Sequence, residues 1–178
     1  MRVLHLSAVV VAAAALGCTR GAVVQTAPAR TIAHADLSDA SGQPVGSATL
    51  TQTPHGVLIS AQLHDLPPGQ HAFHIHAVGK CEPPFTSAGP HFNPTSRQHG
   101  IENPAGMHGG DMPNLTVPES GTIQFQVLNP MVSIAEGGDR LLDDDGAALV
   151  LHATADDYVS DPAGNAGARI ACGVITGG

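Results

Sequence analysis

At 178 residues with 42% apolar content and no tryptophan, the chain is long enough to bury one core without a stabilising metal or disulfide, and too short for two comfortable domains. Seven Lys plus Arg against fifteen Asp plus Glu, with a formal net charge of −8, exclude partners recruited by bulk positive charge, so no nucleic acid or anionic membrane surface is expected to bind. The compositional oddity is eleven histidines, and their spacing is the most informative feature of the chain.

The chain opens MRVLHLSAVVVAAAALGCTRG, with one basic residue at Arg2, an apolar run from Leu6 to Leu16 and small residues up to Cys18. This pattern marks residues 1–17 as a signal peptide, too short to remain as a membrane-spanning helix. The expected location is therefore the periplasm or cell envelope. Gly17-Cys18 resembles the end of a bacterial lipoprotein box, in which the cysteine is lipidated and becomes N-terminal. Ala15 and Leu16 depart from the usual order of that box, so ordinary cleavage nearby with Cys18 incidental is the other reading. A lipid on Cys18 would be the only membrane contact, and residues 18–30, which lack an apolar period, would form a tether. Three cysteines in an exported chain leave one over after a disulfide; if Cys18 carries lipid, Cys81 and Cys172 remain to pair.

From about Arg30 the pattern changes to short alternating runs: RTIAHADL, GSATLTQT, GVLISAQLHDL and QHAFHIHAV, then TIQFQVL, AALVLHAT and ARIACGVI. Turn clusters such as DASGQP, TPHG and LPPGQ separate them. Strands at roughly ten-residue spacing predict an all-β antiparallel sandwich or flattened barrel over residues 31–178. No segment has a helical period. Two long irregular stretches interrupt the strands, Gly79 to about Asn114 and Ala153 to about Ala168. Loops longer than about fifteen residues in a compact domain are usually functional.

In AFHIHAV, His74 and His76 stand at i and i+2 of a predicted strand, so both imidazoles project from one face while Phe73 and Ile75 take the other. Two nitrogens on one strand make a metal half-site. Downstream, the first long stretch holds His91, His99, His108 and Asp111, three nitrogens and an oxygen suited to tetrahedral zinc. Ligation would order a loop that has few apolar residues of its own. His34, His55 and His64 read as surface residues, His71 as facing away from His74, and His5 as lost with the signal. Asp143, Asp144 and Asp145 read as a charged turn.

The strings AFHIH, SAGPHFNP, HGGD and GNAGARIACGVI resemble the copper/zinc superoxide dismutase family over about Thr31 to Ile175. The intervals resemble that family's too, and His152 in LVLHATADD completes the set. The resemblance implies an eight-stranded Greek-key fold. It implies one copper held by His74, His76, His91 and His152, and one zinc held by His91, His99, His108 and Asp111, with His91 bridging the two. Only an imidazole ring can bind a metal at each end in this way. It further implies that Asp156 accepts hydrogen bonds from His74 and His99, that Cys81 and Cys172 form a disulfide, and that Arg169 stands beside the copper to receive a small anion.

The implied reaction is dismutation of superoxide to dioxygen and hydrogen peroxide, with His91 and Arg169 as the catalytic side chains. A non-catalytic copper/zinc storage domain on the same fold is the alternative, and the loss of a copper ligand or of Arg169 would have favoured it. A zinc hydrolase needs an open metal position, whereas four protein ligands close the site. A homodimer is left open. The stretch YVSDPAG at 158–164 lacks the lysine and glutamates that line the approach in many animal relatives.

Overall fold

Alternation of small or branched apolar residues with polar ones decides which way each strand faces. In β1 (Ile32–Asp39), Ala33, Ala35 and Leu37 are buried while the residues between them face water, and β3 (Gly56–Leu63) repeats the pattern with Val57, Ile59, Ala61 and Leu63. In β2 (Pro44–Thr53) the buried positions are Val45, Ala48 and Leu50, an interval of three that a regular strand cannot turn to one face. A bulge absorbs the extra residue: Leu37 pairs with Gly46 and Ser38 with Pro44, which leaves Val45 unpaired beside Gly46, whose φ of 131° belongs to glycine. The computed structural model describes residues 31–178; the signal peptide, Cys18 and the tether read from the sequence lie outside them.

The remaining strands are β4 (Gly69–His71), β5 (Phe73–His76), β6 (Leu115–Val117), β7 (Ile123–Asn129), β8 (Ala148–His152), β9 (Arg169–Val174) and β10 (Thr176–Gly177). Apart from one 3-10 turn, Thr86–Ala88, no helix forms among the described residues. The main sheet is antiparallel in the order β5-β8-β9-β1-β2-β3-β7, with β10 added to β1 as its eighth strand. Chain order and sheet order differ because the chain leaves β3 for the opposite edge at β5, returns to β7, and crosses again to β8. These are the crossovers of a Greek key. The two edges meet across the core: the Phe73 ring of β5 and the Phe125 ring of β7 pack edge-to-face with centroids 5.4 Å apart. The sheet therefore curls around one cluster that contains the inward residues of β1, β2, β3, β5, β8 and β9.

One run divides where the sequence predicts continuity. QHAFHIHAV breaks at Ala72, so that β4 pairs with β6 in a separate two-stranded sheet while β5 pairs with β8. A third irregular segment, residues 130–147, lies between β7 and β8, where the sequence predicts only a charged turn.

All five residues of β8 and all four of β5 are buried, because both faces of this edge are covered. Phe73, Ile75, Leu149 and Leu151 face the main core. Ala148 and Val150 face outward and pack with Phe85, Ala88 and Cys172 in a second cluster beneath the first long loop. His74 pairs in register with Val150, His76 with Ala148 and His152 with Arg169. The histidines thus occupy the outer face of the sheet, roofed by loops 77–114 and 153–168.

Candidate metal centre

Two groups of four buried side chains bring their donor atoms within 4.8 Å of one another: His74, His76, His91 and His152, and His91, His99, His108 and Asp111. His91 belongs to both. The first group comes from two neighbouring strands plus the loop, where an isolated bridge between His76 and His91 holds the loop against β5. The second comes wholly from the loop.

Which nitrogen of each ring is bare depends on what the other one touches, since carboxylate and carbonyl oxygens only accept. His74 Nε2 donates to Asp156 Oδ2 at 2.9 Å and His76 Nδ1 to the Gly89 carbonyl at 2.9 Å. His152 Nδ1 faces the Gly167 carbonyl at 3.4 Å. This leaves His74 Nδ1, His76 Nε2 and His152 Nε2 with lone pairs, and His76 Nε2 and His152 Nε2 point at each other across 3.3 Å. His74 Nδ1 and His91 Nε2 are buried without any hydrogen-bond partner. An unsatisfied buried polar atom costs about 1–3 kcal/mol, so two of them beside two opposed lone pairs fit a cation at their focus.

In the second group the focus is Asp111 Oδ1, which lies 2.9 Å from His91 Nδ1, 3.0 Å from His99 Nδ1 and 3.4 Å from His108 Nδ1. Its other oxygen accepts the backbone N–H groups of Gly100 and His108, both at 3.0 Å. Three nitrogens and one carboxylate oxygen around a point suit a four-coordinate cation.

The electrostatics favour neutral donors at three of the rings. Burial and the neighbouring rings push the pKa of His76 down to about 2, that of His91 to about 4 and that of His152 to about 3, so all three are neutral at pH 7. Burial opposes charge at His99 as well, but hydrogen bonds to Asp111 and Asp156 outweigh it and raise this group to about 9. Asp111 and Asp156 are held well below the usual carboxylate range, because bonds from the histidines overcome the cost of burial.

Asp156 joins the two groups: Oδ2 faces His74 Nε2 at 2.9 Å and Oδ1 faces His99 Nε2 at 3.0 Å. Gly164, with φ of 61°, passes so close that a Cβ there would overlap Asp156 Oδ1. The carboxylate is further fixed by Asn114, whose side chain accepts from the Asp156 N–H at 2.8 Å and donates to the Asp156 carbonyl at 2.9 Å. Tyr158 completes the clamp by accepting the Asn114 N–H at 2.7 Å. Sequence reasoning missed Asn114. Its partner lies 42 residues away, and an asparagine ending a loop gives no signal by itself.

A cavity of about 220 Å³ opens onto the first group, bounded by His76, His91, His152, Pro162, Ala163 and Arg169. Arg169 donates to the carbonyls of Phe85 at 2.5 Å and Gly89 at 2.6 Å, and neither Asp157 nor Asp161 pairs with it. Cys81 and Cys172 are bonded, tying the loop that supplies those carbonyls to β9. His71 is buried, with Nδ1 2.9 Å from the His152 carbonyl and Nε2 2.9 Å from the Pro67 carbonyl.

The chain is similar to several known proteins. The family described as copper/zinc superoxide dismutase matches residues 45–175. Superoxide dismutase [Cu-Zn] 1 of Aquifex aeolicus is 52% identical over 145 residues, covering 80% of this chain and 86% of that protein. Superoxide dismutase [Cu-Zn] of Caulobacter vibrioides is 42% identical over 168 residues, covering 92% and 97%. The crystal structure of a superoxide dismutase-like protein from Bacillus subtilis superposes with a TM-score of 0.78 at 38% identity, covering 80% and 97% of the two chains.

Proposed function

The chain belongs to the copper/zinc superoxide dismutase family and disproportionates superoxide with copper and zinc as cofactors, and we propose that the two groups of converging donors divide those ions between them. His74 Nδ1, His76 Nε2, His91 Nε2 and His152 Nε2 would hold copper; His91 Nδ1, His99 Nδ1, His108 Nδ1 and Asp111 Oδ1 would hold zinc. The sharing of His91 carries this reading, since its two nitrogens face different groups and the one aimed at the copper set has no partner of its own.

Copper supplies one-electron chemistry in both directions, so two superoxide ions and two protons become one dioxygen and one hydrogen peroxide. The side chains arrange that chemistry. Arg169 is fixed by two carbonyls at the cavity wall and offers the positive charge on which an anion can settle next to His76 and His152. His91 Nε2 is the atom at which this chain would hold a proton for the peroxide product. Asp156 keeps His74 and His99 in the tautomers that aim their Nδ1 atoms at the metals. Zinc, which has no redox chemistry, would be held by His91, His99, His108 and Asp111 and would order the loop that supplies them.

Residues 1–17 would export the chain, and the Cys81–Cys172 bond supports an oxidising compartment such as the periplasm. A lipid on Cys18 and a tether over residues 18–30 belong to the same reading. Intact-mass measurement of the mature protein tests the lipid.

The decisive experiment measures metal content and superoxide consumption of the mature protein. We expect one copper and one zinc per chain, with activity appearing only when copper is loaded. A folded, fully copper-loaded sample without activity would return the chain to the storage reading.

A further inference from the structure

Each histidine that touches a single group has an outer nitrogen to be satisfied, and all but one find a partner within hydrogen-bond reach. His74 and His99 use Asp156, His76 uses the Gly89 carbonyl, and His152 faces the Gly167 carbonyl. His91 is spent on both groups. The exception is His108, whose Nε2 forms no hydrogen bond; the carboxylate nearest to it is Asp161, with Oδ1 at 3.9 Å. Asp161 is not loosely placed. The same Oδ1 accepts the backbone N–H of His99 at 2.6 Å, which pins the carboxylate between the two loops although its side chain is 49% exposed.

We propose that Asp161 is a positioning residue for the zinc site, acting as the carboxylate partner of His108 while anchoring the backbone of His99. This rests on His108 being a zinc ligand. A neutral imidazole that binds a cation through Nδ1 carries its hydrogen on Nε2, facing the carboxylate, and a small rotation of the ring closes the 3.9 Å gap to a charge-assisted hydrogen bond. The carboxylate then raises the basicity of His108 and fixes its ring. It also makes the zinc site depend on the second loop, since Asp161 and Asp156 both come from residues 153–168 while all four of the second group's donors lie in the first loop.

Two roles, charge towards His108 and acceptor for the His99 N–H, are separable by Asp161→Asn, which keeps an oxygen for the N–H but removes the charge. The test uses the mature, disulfide-bonded, metal-free protein. Zinc is titrated in competition with a chromophoric chelator, and cobalt(II) is bound separately so that its visible bands report the ligand field. We expect Asp161→Asn to weaken zinc binding by about 10- to 100-fold and to shift the cobalt bands, while the melting temperature of the metal-free protein stays unchanged. Asp161→Ala, which also frees the His99 N–H, should weaken zinc further. Equal zinc affinity and identical cobalt bands in wild type and Asp161→Asn would overturn the inference and leave the zinc assignment standing. Failure of the wild type itself to bind one zinc would overturn both.

Discussion

His91 offers one nitrogen to each group of donors, whereas His152 and Asp111 each serve only one, so three single substitutions can separate the two ions. His152→Ala should abolish dismutation while zinc content and most of the thermal stability persist. Asp111→Ala should remove zinc, loosen residues 79–114 and change the copper signal through the shared ring. His91→Ala should damage both. Metal analysis and copper electron paramagnetic resonance read the three outcomes, and zinc lost from His152→Ala with copper retained would reverse the assignment. Gly164 makes a prediction of a different kind, because no metal touches it. A side chain at its φ of 61° costs about 1–2 kcal/mol by backbone strain alone, and the added carbon would also collide with Asp156 and His99. Gly164→Ala should therefore lower stability by at least that amount and weaken both metal sites together. Unchanged zinc and copper affinities in a soluble Gly164→Ala protein would show that Asp156 is not held by this contact.

At the level of elements, the two long loops lack a strand register of their own and borrow one through named links: the Cys81–Cys172 bond, the Arg169 donors and the Asn114–Asp156 clamp. The bond closes a 91-residue separation, which loop-closure entropy values at about 4–5 kcal/mol. Reduction should first release residues 80–91, and with them the carbonyls that fix Arg169, before it opens the strands. Hydrogen exchange on the reduced protein checks the order, and simultaneous exchange of β1–β3 with the loop would contradict it. The strands were legible in the sequence where one face is wet, because β1, β3 and β7 alternate with period two and β2 does so beyond its bulge. They were less legible where loops cover both faces, since β5 and β8 are buried throughout and QHAFHIHAV carries no mark of its break at Ala72. The break arises because β4 and β5 pair with partners far along the chain, β6 and β8. The candidate ligands were legible because their spacing matches a family pattern. Asn114 and Asp161 were not, because the groups they touch lie 42 and 62 residues away in the chain and come close only on folding.

Across the whole molecule, the metal centre is a concentration of titratable groups whose charge states the fold has fixed, and this sets a pH window for the metal-free protein. Burial lowers His76, His91 and His152 from the ordinary 6.5 to about 2, 4 and 3, so the folded state favours their neutral forms. The stability they contribute is complete above 6.5 and is lost as pH falls below it, where the unfolded chain takes up protons that the folded one refuses. Asp111 and Asp156, also depressed, extend that loss on the acid side of the ordinary carboxylate value of 3.8. His99 runs the other way. Raised from 6.5 to about 9, it stabilises the fold below 6.5 and ceases to do so as pH rises through 9. From pH 6.5 down, three histidines act together against one histidine on the alkaline arm, so the melting temperature of the metal-free protein should decline only modestly towards pH 9 and more steeply below 6.5. Bound metals should flatten the acid arm until protons compete for the same nitrogens, at which point zinc and copper leave and the two curves rejoin. Calorimetric scans of metal-free and metal-loaded protein from about pH 4 to 10 test this directly. A metal-free melting temperature that holds constant or rises as pH falls below 6.5 would mean that these rings are not buried neutral, and that the bare nitrogens of the first group are already protonated.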